Sequence, residues 1–274
     1  MIFYFTATGN SLYAARMLDE ETVSIPQALR AGRTSYTADR IGIAAPIYGH
    51  EMPAMVKEFI EKTELNTDYL YVILTYGHRH ANAVELAQRV LAQAGRNADY
   101  IRTLLMVDNF LPAFDMEEEV RLEKNVDGQL AVIRSEIDAR RHFIEPVTSE
   151  DWLAHAGYMM SVGGRDASVW ANFRFTDQCI GCGICTKVCP AGCIHMEGQR
   201  AVRTGENCQA CMACIHACPI RAIQMNPVCG FTEKNPQARY RNEHVTLSDL
   251  AAANSQPAGQ HYSTQSRKKV RVLK

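Results

Sequence analysis

The first 178 residues of this 274-residue chain contain no cysteine, although the chain has ten in all. That distribution marks a boundary: whatever chemistry the cysteines serve is confined to the C-terminal part. No apolar run approaches the roughly 20 residues needed to cross a bilayer, so a membrane span is not expected. The formal charge is only −1, with 29 basic against 30 acidic residues, which gives no case for binding nucleic acid or an anionic membrane through bulk electrostatics. The N-terminus lacks the pattern of an export signal, so the expected address is cytoplasmic and disulfides are not expected. Ten cysteines in that setting are accounted for only if most of them hold metal. The length suffices for one large domain or two modest ones.

Eight of the cysteines form two copies of one pattern, C-x2-C-x2-C-x3-C-P. Cys179, Cys182, Cys185 and Cys189 make the first run; Cys208, Cys211, Cys214 and Cys218 repeat it 29 residues later. This spacing wraps three thiolates around one cubic iron–sulfur cluster and sends the fourth to the other cluster. Two [4Fe–4S] clusters follow as the expectation. Cys179, Cys182, Cys185 and Cys218 would hold one; Cys208, Cys211, Cys214 and Cys189 would hold the other. Structural zinc favours two separated pairs of ligands, which this spacing does not provide. The proline after each run stops a helix from continuing through the crossing cysteine. Cys193 falls on Ala222 when shifted by the repeat, which marks it as a small packing residue, and Cys229 reads as a buried or free thiol. Residues 172–226 resemble the bacterial two-cluster ferredoxin module. FRFTDQCIGCG matches its first strand and turn, and IHMEGQRAVRTGENC its short hairpin.

The cysteine-free part reads as alternating strands and helices. MIFYFT (1–6) is an apolar run of buried-strand length, followed by the loop Thr6-Ala7-Thr8-Gly9-Asn10-Ser11 and the helical pattern of LYAARMLDE. A strand, tight loop and helix present backbone N–H groups to an anion. The loop has no lysine and matches neither G-x-x-x-x-G-K-[ST] nor G-x-G-x-x-G, so hydroxyls and amides would hold a phosphate there. A short strand near 22–25 precedes a loop. Further strands are expected at 40–45, 69–75 and 99–106, with helices at 53–63 and 81–95. Such alternation indicates a parallel, doubly wound sheet whose ligands bind at the carboxyl ends of its strands. Pro46-Ile47-Tyr48-Gly49-His50, Thr75-Tyr76-Gly77-His78 and Val107-Asp108-Asn109-Phe110 all lie at such ends.

The remainder is less regular. Residues 117–142 read as helical with a break at 124–128, and the acids at 117–119 suit a solvated helix start. A short helix is expected at 152–160, and Gly163-Gly164-Arg165-Asp166 reads as a hinge. Periodicity fades after Pro227, and residues 254–274 have the composition of a disordered, partly basic tail.

The N-terminal part resembles flavodoxin, and the whole chain resembles the flavodoxin–ferredoxin fusion proteins. FTATGNS, APIYGHEMP, TYGHRHANA, VDNF, both cysteine runs and ARYRNEHV carry the likeness. It implies an α/β fold: a flavodoxin-like doubly wound parallel sheet, then a small α+β two-cluster ferredoxin domain. The implied limits are 1–145 for the flavodoxin-like domain, 146–171 for a helical linker, 172–230 for the ferredoxin domain and 231–274 for an extension. It further implies flavin mononucleotide (FMN), with Thr6, Thr8, Gly9, Asn10 and Ser11 around its phosphate. Pro46, Ile47, Tyr48, Gly49, Thr75, Tyr76 and Gly77 would bracket the ring, and Asn82 and Asn109 would offer edge contacts. The expected function is electron transfer between the clusters, FMN and a redox partner protein. Two other readings stay open: a flavin-dependent reductase of a small organic substrate fed by the clusters, and a ferredoxin with a flavin-free docking domain.

Overall fold

The computed structural model describes residues 1–204 and 207–255; of the tail expected at 254–274, Asn254 instead ends a helix and is buried, and 256–274 lie outside the described residues. The first part alternates as β1 (Ile2–Tyr4), α1 (Asn10–Leu18), β2 (Thr22–Ser24), α2 (Ile25–Ala31), β3 (Ser35–Thr37), β4 (Ile41–Pro46), α3 (Ala54–Lys62), β5 (Glu64–Asn66), β6 (Leu70–Tyr76), α4 (Ala83–Gln93) and β7 (Tyr100–Leu105). Then come α5 (Met116–Glu119), α6 (Val126–Asp138) and β8 (Phe143–Ile144). Six strands form one parallel sheet in the order β2-β1-β4-β6-β7-β8. Strand order reverses between β1 and β4, the crevice where open α/β sheets bind ligands.

The strands are apolar on both faces because helices cover both: α1 packs beside α6, and α3 beside α4. Phe3, from β1, meets Phe59 of α3 and Tyr36 of β3, each with ring centroids 4.7 Å apart. Gly42 is required by close approach, since a Cβ there would sit 2.2 Å from the fully buried Tyr71 ring.

Several features differ from the sequence expectation, among them the short β3–β5 pair, the final helix, and three in the main sheet and its helices. The residues after β2 form α2 rather than a loop, because Ser24 accepts the Gln27 N–H as a cap, Pro26 suits the first turn and Gly32 ends the helix at φ 67°. The acids at 117–119 are not simply solvated: Glu119 is buried, with a carboxylate oxygen 3.6 Å from the Lys124 ammonium. Phe143–Ile144 adds a sixth strand, too short to announce itself by alternation.

The second part begins with α7 (Ser149–Ser161), started by a reciprocal Thr148–Asp151 capping box, and a 3-10 turn at Ala167–Trp170. Next are β9 (Phe173–Phe175), α8 (Ile184–Lys187), the hairpin of β10 (Ile194–Glu197) and β11 (Arg200–Arg203), α9 (Ala213–Ala217) and β12 (Ile223–Met225). β12 returns antiparallel to β9, so the two halves of the repeat close on each other. The pseudo-symmetry extends to the backbone. Gly181, Gly183 and Gly192 have φ of 71°, 68° and 63°; their partners 29 residues on, Ala210, Met212 and Arg221, have φ of 51°, 58° and 58°.

The segment after β12 straps the two parts together. The Asn242 N–H donates to the Thr8 carbonyl (2.8 Å) and the Tyr240 hydroxyl to Asn10 Oδ1 (2.7 Å). The final helix, α10 (Leu247–Asn254), starts with a Thr246–Asp249 capping box and lies against α2 and α8. From it Asn254 donates to the carbonyls of Thr6 (2.9 Å) and Val188 (3.3 Å), and Arg16 pairs with Asp249 at 2.6 Å.

Candidate functional site

At the carboxyl ends of β1, β4, β6 and β7 lies a cavity of about 370 Å³. From the first loop it is lined by Thr6, Thr8, Asn10 and Ser11; from the second by Pro46, Ile47, Tyr48 and Gly49; from the third by Thr75, Tyr76 and Gly77; and by Asn109. Its volume and its division into a small polar end and an aromatic-walled slot fit a nucleotide-sized aromatic ligand. At the polar end the hydroxyls are already ordered. Thr6 Oγ1 accepts the Gly9 N–H (3.1 Å), Ser11 and Thr75 share a hydrogen bond (2.9 Å), and Asn109 donates to Thr8 Oγ1 (2.6 Å). The first amides of α1 have no intrahelical acceptor and face this end, which suits a phosphate.

Two candidates do not line the cavity. Gly9 instead shapes the loop at φ 110°, and a Cβ there would lie 2.9 Å from those of Asn242 and Val245. Asn82 is fully buried at the start of α4, with its amide unpartnered among the described residues.

Tyr48 stands at the turn Tyr48-Gly49-His50-Glu51, closed by a reciprocal backbone pair of 2.8 and 3.1 Å. Gly49 and His50 both have positive φ, 59° and 70°, as the mirror-image two-residue hairpin turns demand. Gly49 lets Tyr158 close over the turn: a Cβ would meet its hydroxyl oxygen at 2.5 Å. The Tyr48 hydroxyl and His50 Nδ1 are buried without protein partners among the described residues, so each is available to hydrogen-bond a bound group. Burial, and next the nearby Cys211 sulfur, push the Tyr48 phenol well up. Burial, reinforced by His155, Arg79 and His80, lowers His50 to about 4. Burial also raises the Asp108 carboxyl, another lining group. Asp108 backs directly on Gly77, where a Cβ would fall 2.2 Å from the Asp108 Cα.

Residues that sequence reading did not assign to this cavity complete its walls. Tyr158, Ala167 and Trp170 come from the linker, and Ala210, Cys211 and Met212 from the second cysteine run. Trp170 donates from its indole N–H to the Tyr158 hydroxyl (3.2 Å) and packs edge-on against Phe110 (4.8 Å). The Gly-Gly pair at 163–164, both at positive φ, was the only local sign of a turn that brings the linker back.

The cysteines ring two further cavities. One is lined by Cys179, Cys182, Cys185 and Cys218. The other is lined by Cys208, Cys211, Cys214 and Cys189, with Cys193 beside them. Each run thus sends its fourth cysteine to the other set. Among the described residues no group of three or more His, Cys, Asp and Glu side chains is arranged to hold a metal ion. The Cys185 thiol is pushed up to about 12, first by burial and then by Cys182, Cys218 and Cys179. Cys211 and Cys214 are raised by burial and then by the thiols of their own set. Such thiols favour their neutral form unless a strongly cationic centre stabilises the thiolates, which a cluster of iron ions would supply. Backbone amides support the two crossing sulfurs alike: Cys193 N–H to Cys189 Sγ at 3.3 Å, and Ala222 N–H to Cys218 Sγ at 3.2 Å. Cys193 is buried, as its repeat partner Ala222 is; Cys229 is exposed, with the Arg165 guanidinium 3.1 Å from its sulfur.

Between these sites the α9 imidazole of His216 bridges both parts. Its Nε2 donates to the Asn109 carbonyl (2.9 Å) and its Nδ1 accepts the Tyr240 N–H (3.1 Å). Gln209, in the second cysteine loop, accepts the Met55 N–H in the first turn of α3 at 2.9 Å.

A model of the flavodoxin domain matches residues 1–106, and a model of the 4Fe-4S dicluster domain matches residues 172–219. The chain joins a flavodoxin domain to a 4Fe-4S dicluster domain. Those two domains support an electron-transfer role and imply FMN and iron–sulfur centres. No curated protein matches the chain. Among solved structures, the Trp repressor binding protein from Bacillus subtilis is similar at 11% identity and a TM-score of 0.32, covering 48% of this chain and 94% of that one. No helix among the described residues is long and apolar enough to cross a membrane.

Proposed function

We propose that this chain is a cytoplasmic electron-transfer protein linking two [4Fe–4S] clusters, FMN and an external redox partner. Its parts are taken as 1–145 for the flavodoxin domain, 146–171 for the linker, 172–230 for the ferredoxin domain and 231–274 for the extension. The observation that carries the reading is Cys211: it lines both the cavity of the flavodoxin domain and the second cysteine cavity. When bound, FMN supplies a centre that exchanges electrons singly or in pairs, and each cluster one that exchanges single electrons.

The chain's own residues bind, orient and shield. Thr6, Thr8, Ser11 and the α1 amides would hold the phosphate. Pro46 to Gly49 and Thr75 to Gly77 would bracket the ring, with Tyr48 on the side of Cys211. Tyr158 and Trp170 close the cavity against water, and the eight cysteines would divide four and four between the clusters.

An anaerobic absorption spectrum before and after dithionite, with iron and flavin quantified on the same sample, tests this. About eight irons and one FMN per chain are expected. Eight irons with no flavin, and none taken up from added FMN, would reduce the N-terminal domain to a docking scaffold.

A second reading has one observation in its favour. The cavity is roofed by the linker and carries His50, His78 and Asp108, which would suit a reductase that protonates a small organic substrate. Turnover of small electrophiles by the loaded protein without any partner protein would select it.

A further inference from the structure

The two cysteine sets differ in their access to solvent. Cys182 of the first set is exposed, and Cys179 and Cys218 are partly so; in the second set Cys189, Cys211 and Cys214 are all buried. The second set also adjoins the flavodoxin cavity through Cys211, whereas no residue of the first set lines that cavity. Around the first set the surface is apolar. Ile180, between Cys179 and Cys182, is 62% exposed, Pro219 is exposed and Ile220 is half-buried. Ile180, Pro219 and Ile220 are close together around the first set and all line its cavity, so they form one apolar patch and not a single exposed side chain.

Next to this surface, sharing Cys218 and Pro219 with it, is a cavity of about 290 Å³ whose lining includes Arg221, Arg239 and Arg241. Arg239 is neutralised by Glu233 at 3.0 Å and is anchored to the Ile215 carbonyl. Arg221 and Arg241 are exposed, and neither has a carboxylate within ion-pair distance among the described residues. Two acids of this end of the molecule are paired elsewhere, Asp177 with Arg200 and Asp249 with Arg16; Glu243 is exposed and pairs with neither Arg221 nor Arg241. The result is an apolar centre edged by cations beside the set that holds the exposed Cys182, the anatomy of a protein-docking patch.

The geometry points to this patch as the docking surface for an acidic electron-carrier protein, with the Cys179, Cys182, Cys185 and Cys218 set as the electron port and the other set as the inner relay. The inference rests on the proposed cluster assignment. In the step at the port one electron leaves the carrier's reduced centre and enters the oxidised first cluster; the carrier is oxidised by one electron, the cluster is reduced by one, and no bond is made or broken. Charge complementarity selects the occupant, since it steers encounter and orients the carrier's centre toward Cys182.

The test uses the full, iron-loaded chain and an acidic plant-type [2Fe–2S] ferredoxin as the probe, with affinity measured by titration at low ionic strength. Iron is counted first: fewer than about eight irons in the unaltered chain would overturn the cluster assignment itself, separately from the port. With eight irons present, Arg221→Glu with Arg241→Glu is expected to weaken ferredoxin binding at least tenfold, and Ile180→Ser severalfold. Raising salt to a Debye length near 5 Å is expected to weaken the unaltered protein comparably. A control of equal charge, Arg33→Glu with Arg121→Glu on the flavodoxin domain, is expected to change affinity less than twofold. Unchanged affinity in the Arg221/Arg241 variant, or an equal loss in the control, would overturn the port.

Discussion

Asn10 is the point where the flavodoxin domain is tied to the segment beyond the second cysteine run, and removing its amide should be costly. The side chain donates to the Val107 carbonyl (3.0 Å) and accepts from the Tyr240 hydroxyl (2.7 Å) and the Asn242 amide (3.3 Å). Asn10→Ala leaves these groups buried without partners, at about 1–3 kcal/mol for each. They share one site and do not add, so the expected loss is about 3–5 kcal/mol. Tyr240→Phe removes one donor and leaves the Asn10 oxygen still served by Asn242, for a loss of about 1–2 kcal/mol. Because both variants break the same bond, the double variant should lose about 1 kcal/mol less than the sum. Urea unfolding of the full chain, followed by fluorescence, supplies all four corners of the cycle. Strictly additive losses, or a Tyr240→Phe variant as stable as the parent, would refute the reasoning and detach the extension from the phosphate loop.

Other outcomes follow from single contacts. Gly77→Ala should lower FMN affinity at least 100-fold by equilibrium titration, because its Cβ would collide with backbone and not with a flexible side-chain end. Cys193→Ala should leave the iron content unchanged, as the alanine at the equivalent repeat position suggests, whereas Cys189→Ala should lower it in the same assay. His50, held down to about 4 by burial and its cationic neighbours, gives stability a defined pH dependence. The unfolded chain takes up this proton near 6.5 and the folded chain does not. The contribution is therefore complete above about pH 6.5 and is lost as the pH falls toward 4, up to about 3 kcal/mol before solvent screening. In acid titrations of stability, His50→Gln should flatten that limb; an unchanged limb would assign it to another group.

The sequence alone determined the elements whose signals are local. Apolar runs at 1–6, 40–45, 69–75 and 99–106 announce strands buried on both faces, and the structure carries β1, β4, β6 and β7 there within a residue or two, except that β1 ends at Tyr4. The cysteine spacing sorted eight thiols into two crossed sets, because in this repeated pattern the fourth cysteine serves the other cluster, and the two cavities are lined accordingly. The loops that line the flavodoxin cavity were legible as strand ends. Tertiary structure decided what depends on residues distant in the chain. Tyr158 and Trp170 roof the cavity only because Gly163 and Gly164 turn the linker back, and nothing periodic in α7 reveals where it will lie. The acidic run at 117–119 suits a solvated helix start, but burial of Glu119 beside Lys124 depends on a loop that sequence does not place. Residues 239–246 lack periodicity because hydrogen bonds to loop carbonyls and side chains, such as Asn242 to Thr8 and Tyr240 to Asn10, hold them in place, and the short α10 that follows shows only Leu250, Ala253 and Asn254 on its buried face. Bonds of that kind leave no repeating hydrophobic pattern. For the same reason the meeting of Cys211 with the flavodoxin cavity, on which the proposed electron path rests, is a property of the packed molecule.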